Sequence, residues 1–361
     1  MQKIELTISP NYVPNWTIVD AIRELFQNAI DQESQHPGNT MGWEYDNTEQ
    51  KLYITNKTSV LTAQTLLLGQ TSKANDESTI GQFGEGYKIA TLVLLRNGKQ
   101  ITFYNYGAKE IWRPRFVKSR RFGTDILTFF VEKVSMWSRV PDSDLTIEVS
   151  GINEDEFWSQ IAPSNLYIYE DCYKVLEETE YGDVIDMPGK VFVKGLFVCD
   201  YSPYKYGYNF KPGYLRLDRD RKMASDFDLR WVASKLWSST KSNRVLELVE
   251  EGAADVAYLN DVYGNLNYWR DTVVRRFIDV YGPEAIPVST QDELDLVPKG
   301  YKGIVVPSSY SSLLRSRIDI PELPDPDSPK TRLQELFNDL VMRYDISAED
   351  VDAFNEILEE I

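Results

Sequence analysis

The sequence predicts an α+β protein of two or three domains, and three observations carry that expectation. Short aromatic and β-branched runs of strand length recur through the first 150 residues. A strongly amphipathic segment of helical period interrupts them early. Hydrophobic residues make up 42% of the 361, enough for a chain of this length to bury about three quarters of the surface it exposes when unfolded.

In residues 1–150 the expected strands are Lys51 to Thr55, Gln100 to Tyr104, Ile126 to Phe130 and Leu145 to Val149, forming one sheet with helices on a face. A second α/β unit is expected over 151–270. It opens with a helical stretch, passes through one apolar strand from Lys190 to Val198, and continues into a Tyr/Pro/Gly-rich loop and a helix around Phe227 to Trp237. Over 271–320, Glu284 to Val288 and Gly303 to Pro307 suggest a small strand-helix-strand unit. The run from Pro321 to Pro329 is a stiff acidic linker that helix and strand cannot cross, and two acidic helices follow it, linker and helices together making up 321–361. No internal repeat of 20 to 50 residues is visible.

Composition removes several kinds of chemistry. Cys172 and Cys199 are too few and too far apart for a disulfide framework or a zinc cluster, so a reducing compartment, the cytoplasm, is the expected address. The start MQKIELTISP lacks the basic and apolar regions of a signal peptide, and no run approaches 18 uninterrupted apolar residues, so no membrane association is expected. One histidine, His36, leaves little chemistry that runs on imidazole. Catalysis falls to carboxylates, lysines and arginines. A net charge of −17 disfavours extended binding to nucleic acid unless basic residues are segregated.

Two segments carry candidate chemistry. After Asn15 and Trp16, a helical segment places Glu24, Asn28 and Asp31 at i, i+4 and i+7, on nearly one side, with Ala21, Ile22, Leu25, Phe26 and Ile30 to hold it against a sheet. Taken alone, such a triplet is either a solvated stripe or a site. Further on, the glycine-rich run Thr79-Ile80-Gly81-Gln82-Phe83-Gly84-Glu85-Gly86-Tyr87-Lys88 opens directly into an apolar helix. Glycines let backbone approach phosphate closely, and amide groups at a helix start point at negative charge. The same run also makes an ordinary tight turn. It does not follow a strand directly, and the Walker pattern is absent.

Together, E-x-x-x-N-x-x-D, a strand, a polar segment with Lys73, and then G-x-x-G-x-G-x-K resemble the ordered signature of the Bergerat ATP-binding fold of the GHKL superfamily. Ile80 to Tyr87, and Leu68 to Lys73 before it, look especially like the ninety-kilodalton heat-shock chaperones. The resemblance implies ATP and Mg²⁺ as ligands. Asn28 would hold the metal that bridges the phosphates, and Glu24 would orient and deprotonate the attacking water. Gly81, Gln82, Phe83, Gly84, Glu85, Gly86 and Tyr87 would cover the phosphates, with Lys88 and Lys73 supplying positive charge and Asp31 lining the site. These roles suit phosphoryl transfer, which needs positioning and charge neutralisation more than covalent catalysis. The sequence departs from the family where Asp-x-Gly-x-Gly is usual. The strand ends Ile54-Thr55-Asn56-Lys57-Thr58 without either glycine, and Asn56 would accept the adenine amino group's hydrogen bond through its amide oxygen.

A second resemblance, to the middle domain of the same chaperones, covers Val191 to Val198 and Gly213 to Arg221. It implies an arginine reaching the γ-phosphate. Arg219 is the matching position and Lys194 its competitor, the alternative being a surface cluster in which Asp218, Arg219, Asp220 and Arg221 pair among themselves. Basic residues also gather at Arg113, Arg115, Lys118, Arg120 and Arg121 beside Trp112 and Phe116, a pattern open to single-stranded nucleic acid or to a solvated loop. The expectation is therefore an ATPase whose cycle rearranges domains, or protomers of an ATP-driven homodimer, on a protein partner. Its alternatives are a nucleotide-sensing module with little turnover, and a nucleic-acid-associated ATPase of the same superfamily.

Overall fold

A computed structural model describes residues 1–66, 86–134, 144–169, 172–215, 225–262, 265–316, 329–344 and 346–360. Contacts divide the chain into two compact units, Met1–Thr240 and Lys241–Ile361.

The first unit contains β1 (Gln2–Glu5), α1 (Ile18–Gln35), β2 (Met41–Asp46), β3 (Lys51–Asn56), α2 (Gly86–Arg96), β4 (Gln100–Asn105), β5 (Glu110–Lys118), β6 (Asp125–Lys133), β7 (Leu145–Ser150) and the single turn α3 (Glu154–Glu156). Its large sheet runs β1-β6-β5-β4-β7-β3-β2, with every pair antiparallel. Register carries buried side chains across it in rows. Ile54, Ile147, Phe103, Trp112 and Val131 form one row, and Asn56, Leu145 and Asn105 form another nearer the end of the strands. α1 and α2 pack on each other and on this face, with Ala21, Ile22, Leu25, Phe26, Ala29 and Ile30 of α1 buried in one core. β5 falls on the stretch expected to be a basic patch or loop. Its period of two turns Trp112 and Pro114 inward and Arg113 and Arg115 outward, as a half-buried strand requires.

The same unit continues with β8 (Val175–Glu178), β9 (Gly182–Ile185), β10 (Lys190–Val193), β11 (Leu196–Asp200), β12 (Gly207–Phe210) and α4 (Asp226–Ser239). The five strands form a second sheet in the order β11-β10-β12-β9-β8, in which β10 and β12 are parallel. The expected single strand from Lys190 to Val198 is instead a hairpin. Lys194 and Gly195 both have positive φ, 48° and 77°, the conformation of a two-residue turn that matches strand twist, and Val193 pairs with Leu196 across it.

The second unit contains α5 (Arg244–Glu250), α6 (Leu266–Tyr281), β13 (Ala285–Val288), α7 (Gln291–Asp295), β14 (Lys302–Val305), α8 (Ser308–Arg315), α9 (Pro329–Arg343) and α10 (Ala348–Glu360). β13 and β14 are parallel, joined through α7. Among the described residues no helix is long and apolar enough to cross a membrane.

Candidate functional site

α1 begins at a reciprocal cap. The Thr17 hydroxyl accepts from Asp20 N at 3.4 Å, and the Asp20 carboxylate accepts from Thr17 N at 2.7 Å. From there the helix turns its apolar face to the sheet, which leaves Arg23, Glu24, Gln27, Asn28, Asp31 and Ser34 on the remaining arc. That arc is not a solvated stripe. Glu24 is 2% exposed, and Gln27 and Asp31 are 0% exposed.

Asn28 donates its Nδ2 to the Glu24 carbonyl at 2.9 Å. Its Oδ1, the hard oxygen a magnesium ion takes, is left as the ligand end. α2 starts against these two residues. A Cβ added to Gly86 would stand 2.7 Å from Asn28 Nδ2 and 2.8 Å from Glu24 Oε2, so glycine permits this approach without displacing those two side-chain ends. The last glycine of the glycine-rich run and the Glu/Asn pair, some 60 residues apart in the chain, thus meet at one place. Tyr87 follows, its ring edge-on to Phe103 at 6.1 Å. Burial, and then the Asp31 carboxylate, push its phenol up from the ordinary tyrosine range. Lys88 is fully buried, and its ammonium donates to the Thr65 carbonyl at 3.2 Å.

Asn56 closes the opposite side of α1. Its Nδ2 donates to the carbonyls of Ala29, at 2.9 Å, and Asn39, at 3.1 Å. Two carbonyl acceptors fix which end of the amide is nitrogen and leave Oδ1 as the acceptor end. This set fits a magnesium nucleotide by the chemistry of its donors: a carboxylate, an amide oxygen for the metal, a side-chain-free backbone approach at Gly86 and an oriented amide for a base.

Lys194 stands elsewhere. Its ammonium meets the Ser34 hydroxyl, ten residues and roughly 15 Å along α1 from Glu24. It also lines a cavity of about 250 Å³ with Tyr167, Asp183, Asn209 and Lys211. Arg219, Lys73, Gly81, Gln82, Phe83, Gly84 and Glu85 lie outside the described residues. Arg113 and Arg115 are engaged on the sheet, the first with Glu132 at 3.1 Å and the second over the Phe130 ring at 4.0 Å.

Two residues of the arc escaped the sequence reading. Arg23 is buried, donates its Nε to the Phe197 carbonyl of β11 at 2.7 Å, and brings Nη1 to 3.9 Å from Glu24 Oε1. Gln27 lies one turn from Glu24. The signal for both was their position on the polar arc, which a search for the motif letters alone passes over.

No protein-family model matches the chain. An uncharacterized protein of Mycoplasma pneumoniae is similar to it at 24% identity over 254 residues, 67% of this chain and 100% of that protein. Among solved structures, the ATPase region of Saccharomyces cerevisiae topoisomerase II bound to ICRF-187 aligns with a TM-score of 0.33 and 10% identity, over 50% of this chain and 62% of that one. The ATPase and transducer domains of DNA topoisomerase II from Balamuthia mandrillaris align with a TM-score of 0.31 and 12% identity, over 50% and 60%. The chain therefore spans 60–62% of the length of these solved structures.

Proposed function

We propose that the chain binds ATP with Mg²⁺ on the polar arc of α1 and hydrolyses it. The observation that carries this reading is the seating of Gly86 against Glu24 and Asn28. Gly86, the last glycine of one motif, meets Glu24 and Asn28 of the other, a pair of side chains suited to water activation and metal binding, and the order of the two motifs along the chain resembles the GHKL signature. Magnesium, when bound, would supply charge neutralisation across the phosphates. Asn28 Oδ1 would hold it, Glu24 would take the proton of the attacking water, and Asn56 Oδ1 would accept from the adenine amino group. Arg23 Nη1 lies 3.9 Å from Glu24 Oε1, beside the carboxylate that would act as the base. The cycle would rearrange domains, or the protomers of a homodimer, on a protein partner. An acidic chain of −17 favours that over nucleic acid.

The test is a thermal and calorimetric titration of the full chain with ATP, ADP and GTP, each with and without Mg²⁺. The expected result is Mg²⁺-dependent stabilisation by ATP, with steady-state hydrolysis that Glu24→Ala lowers about a hundredfold or more while binding persists. An unchanged rate in Glu24→Ala would remove the catalytic assignment and leave nucleotide sensing, and no stabilisation by any nucleotide would remove the reading altogether.

A further inference from the structure

The side chain of Gln27 is fully buried, and among the described residues neither its Oε1 nor its Nε2 has a hydrogen-bond partner. Such a group is expensive to keep, because the folded chain has stripped water from a donor pair and an acceptor and returned nothing. An apolar residue of the same length would avoid that cost. Its place explains why an amide could be kept there. At about 100° per residue, Gln27 stands about 60° around α1 from Glu24 and about 40° from Asp31. On a helix surface, residues three apart have Cβ atoms about 5–6 Å from each other, so Glu24 and Gln27 can reach one small molecule between them. Neighbours on the other flank do not satisfy the amide. Arg23 is turned to the Phe197 carbonyl and Ser34 to Lys194 and to the Ile30 carbonyl.

We infer that Gln27 is a further residue of the nucleotide site, one that holds the attacking water together with Glu24 and donates to the γ-phosphate. This rests on the reading that the site hydrolyses ATP. A primary amide suits the task because it offers an acceptor and a donor at once. Gln27 Oε1 accepts one hydrogen of the water and turns its oxygen lone pair toward phosphorus. Gln27 Nε2 donates to a γ-phosphate oxygen, which the amide can do only when that phosphate is present. The water oxygen forms the new bond to phosphorus as the bond from phosphorus to the β,γ-bridging oxygen breaks. The bridging oxygen leaves with the electron pair as part of ADP, and the other proton of the water passes to the Glu24 carboxylate. Gln27 neither gains nor loses a proton.

The full chain and its Gln27→Met variant test this. Methionine keeps the length of the side chain and removes both hydrogen-bonding ends. Three quantities are measured: the melting temperature without nucleotide, the extra stabilisation that Mg²⁺ with a non-hydrolysable β,γ-imido ATP analogue gives over Mg²⁺ with ADP, and kcat and KM for ATP. In Gln27→Met the nucleotide-free melting temperature should hold or rise, since two unmatched polar atoms are gone. The analogue's advantage over ADP should vanish, and kcat should fall about a hundredfold with KM changed less than threefold. Retention of either the analogue's advantage or kcat at the wild-type level overturns the inference and leaves Gln27 a structural residue. A nucleotide-free variant that melts well below wild type also overturns it, because the amide would then be bonded in the resting chain. If the wild-type chain itself gains no stability from any nucleotide, the parent reading has failed, a result visible before any variant is compared.

Discussion

Gly86 is where one methyl group has the largest effect on the site. An alanine there would put its Cβ 2.7 Å from Asn28 Nδ2 and 2.8 Å from Glu24 Oε2. Both atoms are ends of side chains, so the fold can yield, and Gly86→Ala should cost only about 1–2 kcal/mol in denaturant unfolding. The site cannot yield as cheaply. Moving Asn28 breaks its bond to the Glu24 carbonyl and turns the oxygen proposed to hold the metal. The expected loss in Mg²⁺-nucleotide affinity, read by calorimetric titration, is at least about tenfold, since about 1.4 kcal/mol of lost contact suffices for that factor. Wild-type affinity in Gly86→Ala would mean that this contact is packing alone. Chemistry at this scale was partly legible in the sequence. Glu24, Asn28 and Gly86 were marked by residue type and spacing. Arg23 and Gln27 were not, because the meaning of Gln27 depends on its burial and that of Arg23 on a partner more than 170 residues away, Phe197.

At the scale of elements, the β10–β11 hairpin is held at its turn by two positive φ angles. Gly195 is also tight: an added Cβ would lie 2.6 Å from the Tyr167 ring. A β-branched residue meets both obstacles, and Gly195→Val should cost about 2–4 kcal/mol, read as a lower denaturation midpoint with an unchanged slope. An unchanged midpoint would show that the turn is not built this way. This hairpin explains what the apolar run from Lys190 to Val198 hid. Val191 to Val193 of β10 are buried on both faces, and β11 sets the apolar Phe197 on its half-buried face, so no apolar-polar alternation separated the strands, and the punctuation was a lone Lys-Gly pair. β5 was missed for the opposite reason. Its outward arginines read as a patch, although Trp112, Pro114 and Phe116 between them keep the period of a strand. The strands at Lys51, Gln100, Ile126 and Leu145 were legible because aromatic and β-branched residues fill them.

For the whole molecule, every described residue of the candidate site lies within Met1–Thr240, which has its own core of α1, α2 and the large sheet. Lys241–Ile361 buries a separate set that includes Trp269, Val273, Phe277, Ile286, Leu313 and Leu314. A unit with its own core can in principle fold alone. A chain ending at Thr240 should therefore bind Mg²⁺ and ATP with an affinity within about threefold of the full chain's, a difference of under about 0.7 kcal/mol. At a nucleotide concentration a hundred times its Kd, binding adds about 2.7 kcal/mol to the folded state. For a unit of this size that raises the melting temperature by roughly 5–10 °C. A fragment that is folded by circular dichroism yet gains no stability from nucleotide, while the full chain does, would place an essential part of the site beyond Thr240. The assignment of the whole chemistry to α1 and its neighbours would then have to be given up.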